Sequence, residues 1–306
     1  MSSQSNKKVN KVTSVSSKDG GFLYTFIVIS ILLVSVVFST VLSVVPDDKS
    51  ALFSDVKTII SYFLGPIAVC LAIGILRYKS KNETLFALPK NFNIKPLIAT
   101  ICIFFGLTFS LSNLNEWFVE FLINCGFSVK TPTLPSKTPI NVVLVIISVC
   151  ILPAIVEEFA FRHLILRSLT KTGVIFATLI SGALFAFFHM SPAQTIYQFI
   201  VGSIYSLIII YGGNLLYVIS IHFLNNLYVV LNYYFFNFNF DQTTTVILTI
   251  LGFVSLILGI FLLVKNRKVN EIPKLEKKKN RLEFLYGAVM GAVAVLVMWI
   301  QGLING

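Results

Sequence analysis

All three histidines of this 306-residue chain fall inside long apolar stretches. His189 and His222 share those stretches with Glu157, Glu158, Arg162 and Asn226, and His163 and Arg167 lie a little further along the stretch that carries the two glutamates. An ionisable side chain at the middle of a bilayer costs about 2.5–3.5 kcal/mol on insertion scales, so each one needs a partner or a task. Carboxylate, imidazole and amide together make up what peptide-bond hydrolysis requires. A base takes a proton from water, and nearby N–H groups meet the charge that develops on the carbonyl oxygen. A carboxylate withdrawn from water is a stronger base than an exposed one.

Helical spacing sorts these residues. Glu158 and Arg162 stand four apart and share a face, so they are expected to pair and to keep Glu158 structural. Glu157 is turned about 100° away and escapes that pairing. His222 and Asn226 also stand four apart. The apolar segments that carry Glu157 and His189 turn back on each other near residues 170–174, at similar distances from both residues, so one carboxylate, two imidazoles and one amide can converge. His163 and Arg167 sit nearer the end of their segment and are expected to reach toward water. The bland alternative is that these groups only hydrogen-bond helices to one another. It explains any one of them better than it explains the whole set.

Three stretches then stand out in order: Glu157-Glu158-Phe159-Ala160-Phe161-Arg162, Phe185-Ala186-Phe187-Phe188-His189 and His222-Phe223-Leu224-Asn225-Asn226. They match E-E-x-x-x-R, F-x-x-x-H and H-x-x-x-N on successive apolar segments. Over about residues 140–235 the chain thus resembles the CPBP family of intramembrane proteases. That family includes the type II CAAX prenyl endopeptidases and Abi-type proteins linked to bacteriocin immunity or peptide processing. The resemblance implies a glutamate-dependent peptidase acting on a membrane-associated or prenylated peptide. Glu157 would be the base and His189 would help hold the water. His222 and Asn226 would face the oxyanion, and Glu158, Arg162 and Phe185 would support the site. Relatives commonly carry Gly after the motif Arg; here His163 takes that place.

The elements that must position these groups follow from composition. The chain is 56% hydrophobic and 12% charged, and its mean hydropathy is +0.85. A soluble domain carries about 25% charged residues. Candidate spans are 22–45, 58–76, 97–114, 141–169, 173–189, 194–211, 215–235, 245–264 and 284–304. The expected fold is an all-α polytopic membrane protein with nine transmembrane helices, or eight if a short segment is re-entrant. The fourth span is too long for a simple crossing and is expected to project from the membrane or kink at Pro153. With the N-terminus cytoplasmic, only Lys49, Lys57, Lys130 and Lys137 of the 24 basic residues fall on the far side, as the positive-inside rule requires. The chain divides into a polar tail (1–21), N-terminal helices with a linker (22–139), a catalytic core (140–235) and C-terminal helices with a basic loop at 265–281 (236–306). Leu114 to Phe127 reads as an interfacial helix, followed by a stiff Pro-rich linker. Gly287 and Gly291, four apart, suit close helix packing.

Other readings are constrained but not all removed. The basic excess flanks apolar runs, which argues for a membrane and against nucleic acid as partner. Cys70, Cys102, Cys125 and Cys150 form no C-x-x-C and read as packing residues. A metal is not favoured as cofactor, although Glu157, His189 and His222 could supply a zinc-type set with an open position; there is no H-E-x-x-H. A proton-coupled transporter would use similar residues, and a non-enzymatic immunity or scaffold protein could keep the same fold. A bacterial plasma membrane is the expected location.

Overall fold

A computed structural model of the chain describes residues 15–45, 50–79, 93–130, 133–238, 240–265 and 273–305. The polar tail up to residue 14 and residues 266–272 of the basic loop lie outside the described residues. Ten helices follow in order: α1 (Ser17–Val44), α2 (Ala51–Lys79), α3 (Ile94–Ser110), α4 (Ser112–Asn124), α5 (Pro139–Thr172), α6 (Val174–Phe188), α7 (Thr195–Ile210), α8 (Leu215–Phe236), α9 (Gln242–Lys265) and α10 (Lys274–Asn305). Among the described residues there is no strand, and eight helical runs are long and apolar enough to cross a membrane, with α3 and α4 counted as one run. The chain is an all-α polytopic membrane protein. The short apolar helix is α6, whose 15 residues reach only about 22 Å against a hydrocarbon core of about 30 Å.

Helix boundaries differ from the apolar runs where caps decide them. The first helix begins at Ser17, not Phe22, because Ser16 accepts a hydrogen bond from the Asp19 amide at 3.1 Å and caps it. Residues of the expected tail are thereby drawn into the bundle. Asp241 does the same for α9, accepting from the Thr244 amide and hydroxyl. Those bonds hold the Asp241 carboxyl below the usual carboxylate range.

The long helix α5 departs from regular geometry on both sides of Pro153. Its backbone takes π-helical form over Ile146–Ile151 and again over Phe159–Ile165. Proline offers no N–H to the residue four before it, and an inserted π turn is one way a helix absorbs that loss. The two π segments bracket Leu152–Glu158, so the turn that carries Glu157 and Glu158 is set off from its flanks.

On one side of the bundle, the linker before α5 is tied down. Ser136 donates its amide to Asp55 at 2.9 Å and Asn141 donates to the same carboxylate at 2.9 Å. Tyr62 and Tyr234 donate to the carbonyls of Thr133 and Pro135 at 2.6 Å and 2.9 Å. Pro-rich backbone has few amides to pair with itself, so its carbonyls take side-chain donors. The helix α4 leaves Trp117 and Phe121 exposed, their rings stacked at 6.0 Å, as an interfacial helix would.

Beside a small cluster of Val145, Cys150, Val230 and Tyr234 between α5 and α8, two larger buried clusters make the core. One joins α1, α5, α6 and α10 through Tyr24, Phe161, Phe185 and Phe284; the other joins α3, α7, α8 and α9 through Ile103, Tyr205, Ile221 and Leu256. Gly287 and Gly291 face α1: a Cβ at Gly287 would stand 2.5 Å from the Lys18 carbonyl oxygen, and one at Gly291 would stand 2.7 Å from the Thr25 Cα. Backbone cannot retreat from such contacts. Gly287→Ile should therefore lower thermal stability in detergent by about 1–3 kcal/mol. An unchanged melting temperature would show that α1 and α10 are not packed backbone to backbone.

Candidate functional site

The seam between the two clusters holds the polar residues. Arg162 is buried there, 1% exposed. Its Nη1 donates to Glu158 Oε1 at 3.0 Å and its Nη2 donates to the Gly202 carbonyl at 3.3 Å. The guanidinium carbon lies 4.2 Å from the centre of the Phe185 ring, 5.4 Å from that of Tyr205 and 5.9 Å from that of Phe161. Rings on two clusters thus bracket one cation, a placement that compensates a buried charge. The Gly202 carbonyl is within reach because α6 and α7 approach closely: a Cβ at Gly202 would meet the Gly182 Cα at 3.1 Å.

Glu158 is fully buried and takes a second donor. His222 Nδ1 lies 2.8 Å from the same Oε1. One carboxylate oxygen therefore ties α5 to itself through Arg162 and to α8 through His222. With Nδ1 committed, Nε2 is the nitrogen of His222 left for another partner.

Glu157 is in a different position, although it is the adjacent residue. It makes no ion pair among the described residues, and its Oε2 has no hydrogen-bond partner. It is 9% exposed against 0% for Glu158, so of the two glutamates it alone borders accessible space. It lies within electrostatic reach of His222, Glu158 and Arg162.

His189 follows the last residue of α6. Its Nδ1 is 2.8 Å from the Phe185 carbonyl. A carbonyl only accepts, so Nδ1 carries the hydrogen and Nε2 presents a lone pair. The Phe185 ring meets His189 edge to face at 4.9 Å and His222 at 6.2 Å. The F-x-x-x-H spacing has a physical content here: the same residue supplies the carbonyl that sets the tautomer of His189 and the ring that separates it from Arg162 and His222.

The structure therefore brings Glu157, Glu158, Arg162, Phe185, His189 and His222 into one connected group at the meeting of α5, α6 and α8. Asn226 lies one turn along α8 from His222 and bonds back to α5, its Nδ2 donating to the Val149 carbonyl at 2.8 Å. His163 does not reach for water as its position suggested. It is 3% exposed, stacks on Phe159 at 4.7 Å and lies 3.4 Å from Arg167 Nη1 through its Nε2. The π-helical register of Phe159–Ile165 sets it on the inner face of α5. Tyr197, Tyr205 and Asn225 join the group without having been marked by any motif. Tyrosines are common in membrane helices, and only the adjacency of Asn225 to Asn226 hinted at either.

His222 gives Nδ1 to Glu158, and among the described residues no group of three or more His, Cys, Asp or Glu is placed to hold an ion. The cysteines are all free, with only Cys150 buried.

Residues 139–228 match a family model described as Rce1-like: Type II CAAX prenyl endopeptidase Rce1-like. The matched stretch runs from the start of α5 into α8 and contains every residue of the group. Neither the curated proteins nor the solved structures give a match.

Proposed function

We propose, from a helical core whose residues 139–228 belong to the type II CAAX prenyl endopeptidase family, that this chain hydrolyses a peptide bond of a membrane-associated or prenylated peptide within the bilayer. The observation that carries the reading is the division of labour between two adjacent glutamates. Glu158 has its charge matched by Arg162 and His222, whereas Glu157 makes no ion pair among the described residues; each keeps one carboxylate oxygen without a hydrogen-bond partner.

In the reaction, Glu157 takes a proton from a water whose other hydrogen is accepted by His189 Nε2. The water oxygen bonds to the carbonyl carbon of the substrate, and the electron pair moves to the carbonyl oxygen. The Asn226 amide N–H meets that oxyanion, and His222 joins it as an imidazolium, with Nδ1–H on Glu158 and Nε2–H on the oxyanion. Collapse of the tetrahedral species breaks the C–N bond, and Glu157 returns its proton to the leaving nitrogen. An acid and an amine result. The basic residues flanking the apolar helices support a cytoplasmic N-terminus, and the proposed location is a bacterial plasma membrane.

The test is cleavage by the purified full chain in liposomes of a farnesylated peptide ending in C-a-a-X, with a fluorophore and quencher flanking the scissile bond. Mass spectrometry should find one new carboxyl end and one new amine end. Cleavage should persist in chelator, because the proposed step uses Glu157 alone to activate the water. Loss in chelator with recovery on added zinc would replace the glutamate mechanism by a metal one. No new ends with this peptide or with a membrane-peptide extract would favour a scaffold or transporter.

A further inference from the structure

Four polar groups beside the proposed machinery form a chain with one direction. It begins at the Val149 carbonyl. The residue four positions later, which would ordinarily donate to it, is Pro153, which has no N–H. Val149 also lies in the π segment Ile146–Ile151. The Val149 carbonyl accepts from Asn226 Nδ2 at 2.8 Å. Asn226 Oδ1 is met by Asn225 Nδ2 at 3.4 Å, and Asn225 Oδ1 by the Tyr197 hydroxyl at 2.5 Å. A backbone carbonyl only accepts, so the contact with Val149 obliges Asn226 to turn its NH2 toward α5. Its oxygen then needs a donor, which Asn225 supplies, and the oxygen of Asn225 needs one in turn, which Tyr197 supplies. Flipping either amide would set oxygen against oxygen. One N–H of Asn226 is used by Val149; the other remains.

We propose that Tyr197, Asn225 and Pro153 are positioning residues that hold the Asn226 amide in the one orientation presenting its remaining N–H to the substrate oxygen. This rests on the reading of Asn226 as an oxyanion donor. Tyr197 brings α7 into the arrangement, Asn225 transmits the orientation along α8, and Pro153 has no N–H to compete for the Val149 carbonyl that anchors it.

The experiment uses the full chain in liposomes and the farnesylated C-a-a-X probe. Tyr197→Phe and Asn225→Ala should each lower kcat by about tenfold to a hundredfold with KM within about twofold. That is less than the roughly 10²–10³-fold loss expected for removing one oxyanion donor. Introduced into an Asn226→Ala background, neither should lower kcat further, since the group they orient is gone. Pro153→Ala, which returns an N–H to compete for the Val149 carbonyl, should lower kcat while leaving the melting temperature equal or higher. Full kcat in folded Tyr197→Phe and Asn225→Ala, or equal losses with and without Asn226, would overturn the proposal. Failure of the catalytic reading has its own signature: no cleavage by the unaltered chain, or cleavage that survives Glu157→Gln. In that event thermal unfolding still tests the chain. Asn225→Ala and Asn226→Ala delete a shared bond, so the double variant should lose less in melting temperature than the two single losses together. Additive losses would show that the two amides are not coupled.

Discussion

Glu157→Gln should abolish cleavage while leaving a folded protein. Glutamine has nearly the size of glutamate and keeps a hydrogen-bonding oxygen, but it cannot accept a proton from water. A general base contributes about 10²–10⁴-fold, so the rate on a cognate membrane peptide should fall at least a hundredfold. The structure supports normal folding of this variant, because among the described residues Glu157 makes no ion pair that the change would break. Abundance and melting temperature should therefore match the unaltered chain. The neighbouring change, Glu158→Gln, should differ in kind: it leaves Arg162 buried without its counter-charge and should lower stability together with activity. Full cleavage by folded Glu157→Gln would mean that the base is elsewhere.

Arg162→Ala should lose the protein before it loses the chemistry. Breaking a buried ion pair by deleting one partner costs about 3–5 kcal/mol, because the other charge is left unmatched. Here Glu158 is fully buried and would keep only His222. The truncation also removes the bond to the Gly202 carbonyl and the cation held among Phe185, Tyr205 and Phe161. Membrane abundance and melting temperature in detergent should both drop sharply. Arg162→Lys should be intermediate, since a single ammonium keeps the charge but cannot reproduce the planar fork or its stacking on Phe185. The paired change Glu158→Gln with Arg162→Met should recover stability over Arg162→Ala, because no unmatched charge remains. Normal abundance of Arg162→Ala would show that His222 alone satisfies Glu158.

Much of this arrangement is legible along the chain, for reasons of scale. Lipid penalises charge and unpaired backbone so strongly that apolar helices and the rare ionisable residues within them mark themselves. Four-residue spacing is a local property, so the pairing of Glu158 with Arg162 and the shared face of His222 and Asn226 follow from helix geometry alone. The turn at Gly173, whose φ of 96° suits glycine, and the matched lengths on either side of it bring α5 and α6 together as a hairpin.

What crosses between helices was not legible. Nothing local directs His222 Nδ1 to Glu158, the Phe185 ring over Arg162, or Tyr197 to Asn225. Each contact depends on the rotation and depth of one helix against another, and those are decided by packing at glycines such as Gly182 and Gly202. The placement of His163 shows the same limit. Its place near the end of an apolar run points it toward water, whereas the structure buries it within the π-helical stretch of α5, stacked on Phe159. Sequence by itself determined which residues carry charge into the membrane and which of them share a helix face. Only the tertiary structure decided which side chains of other helices join the pair of Glu158 and Arg162, His222 on Glu158 and Phe185 on Arg162, because those contacts depend on how the helices pack.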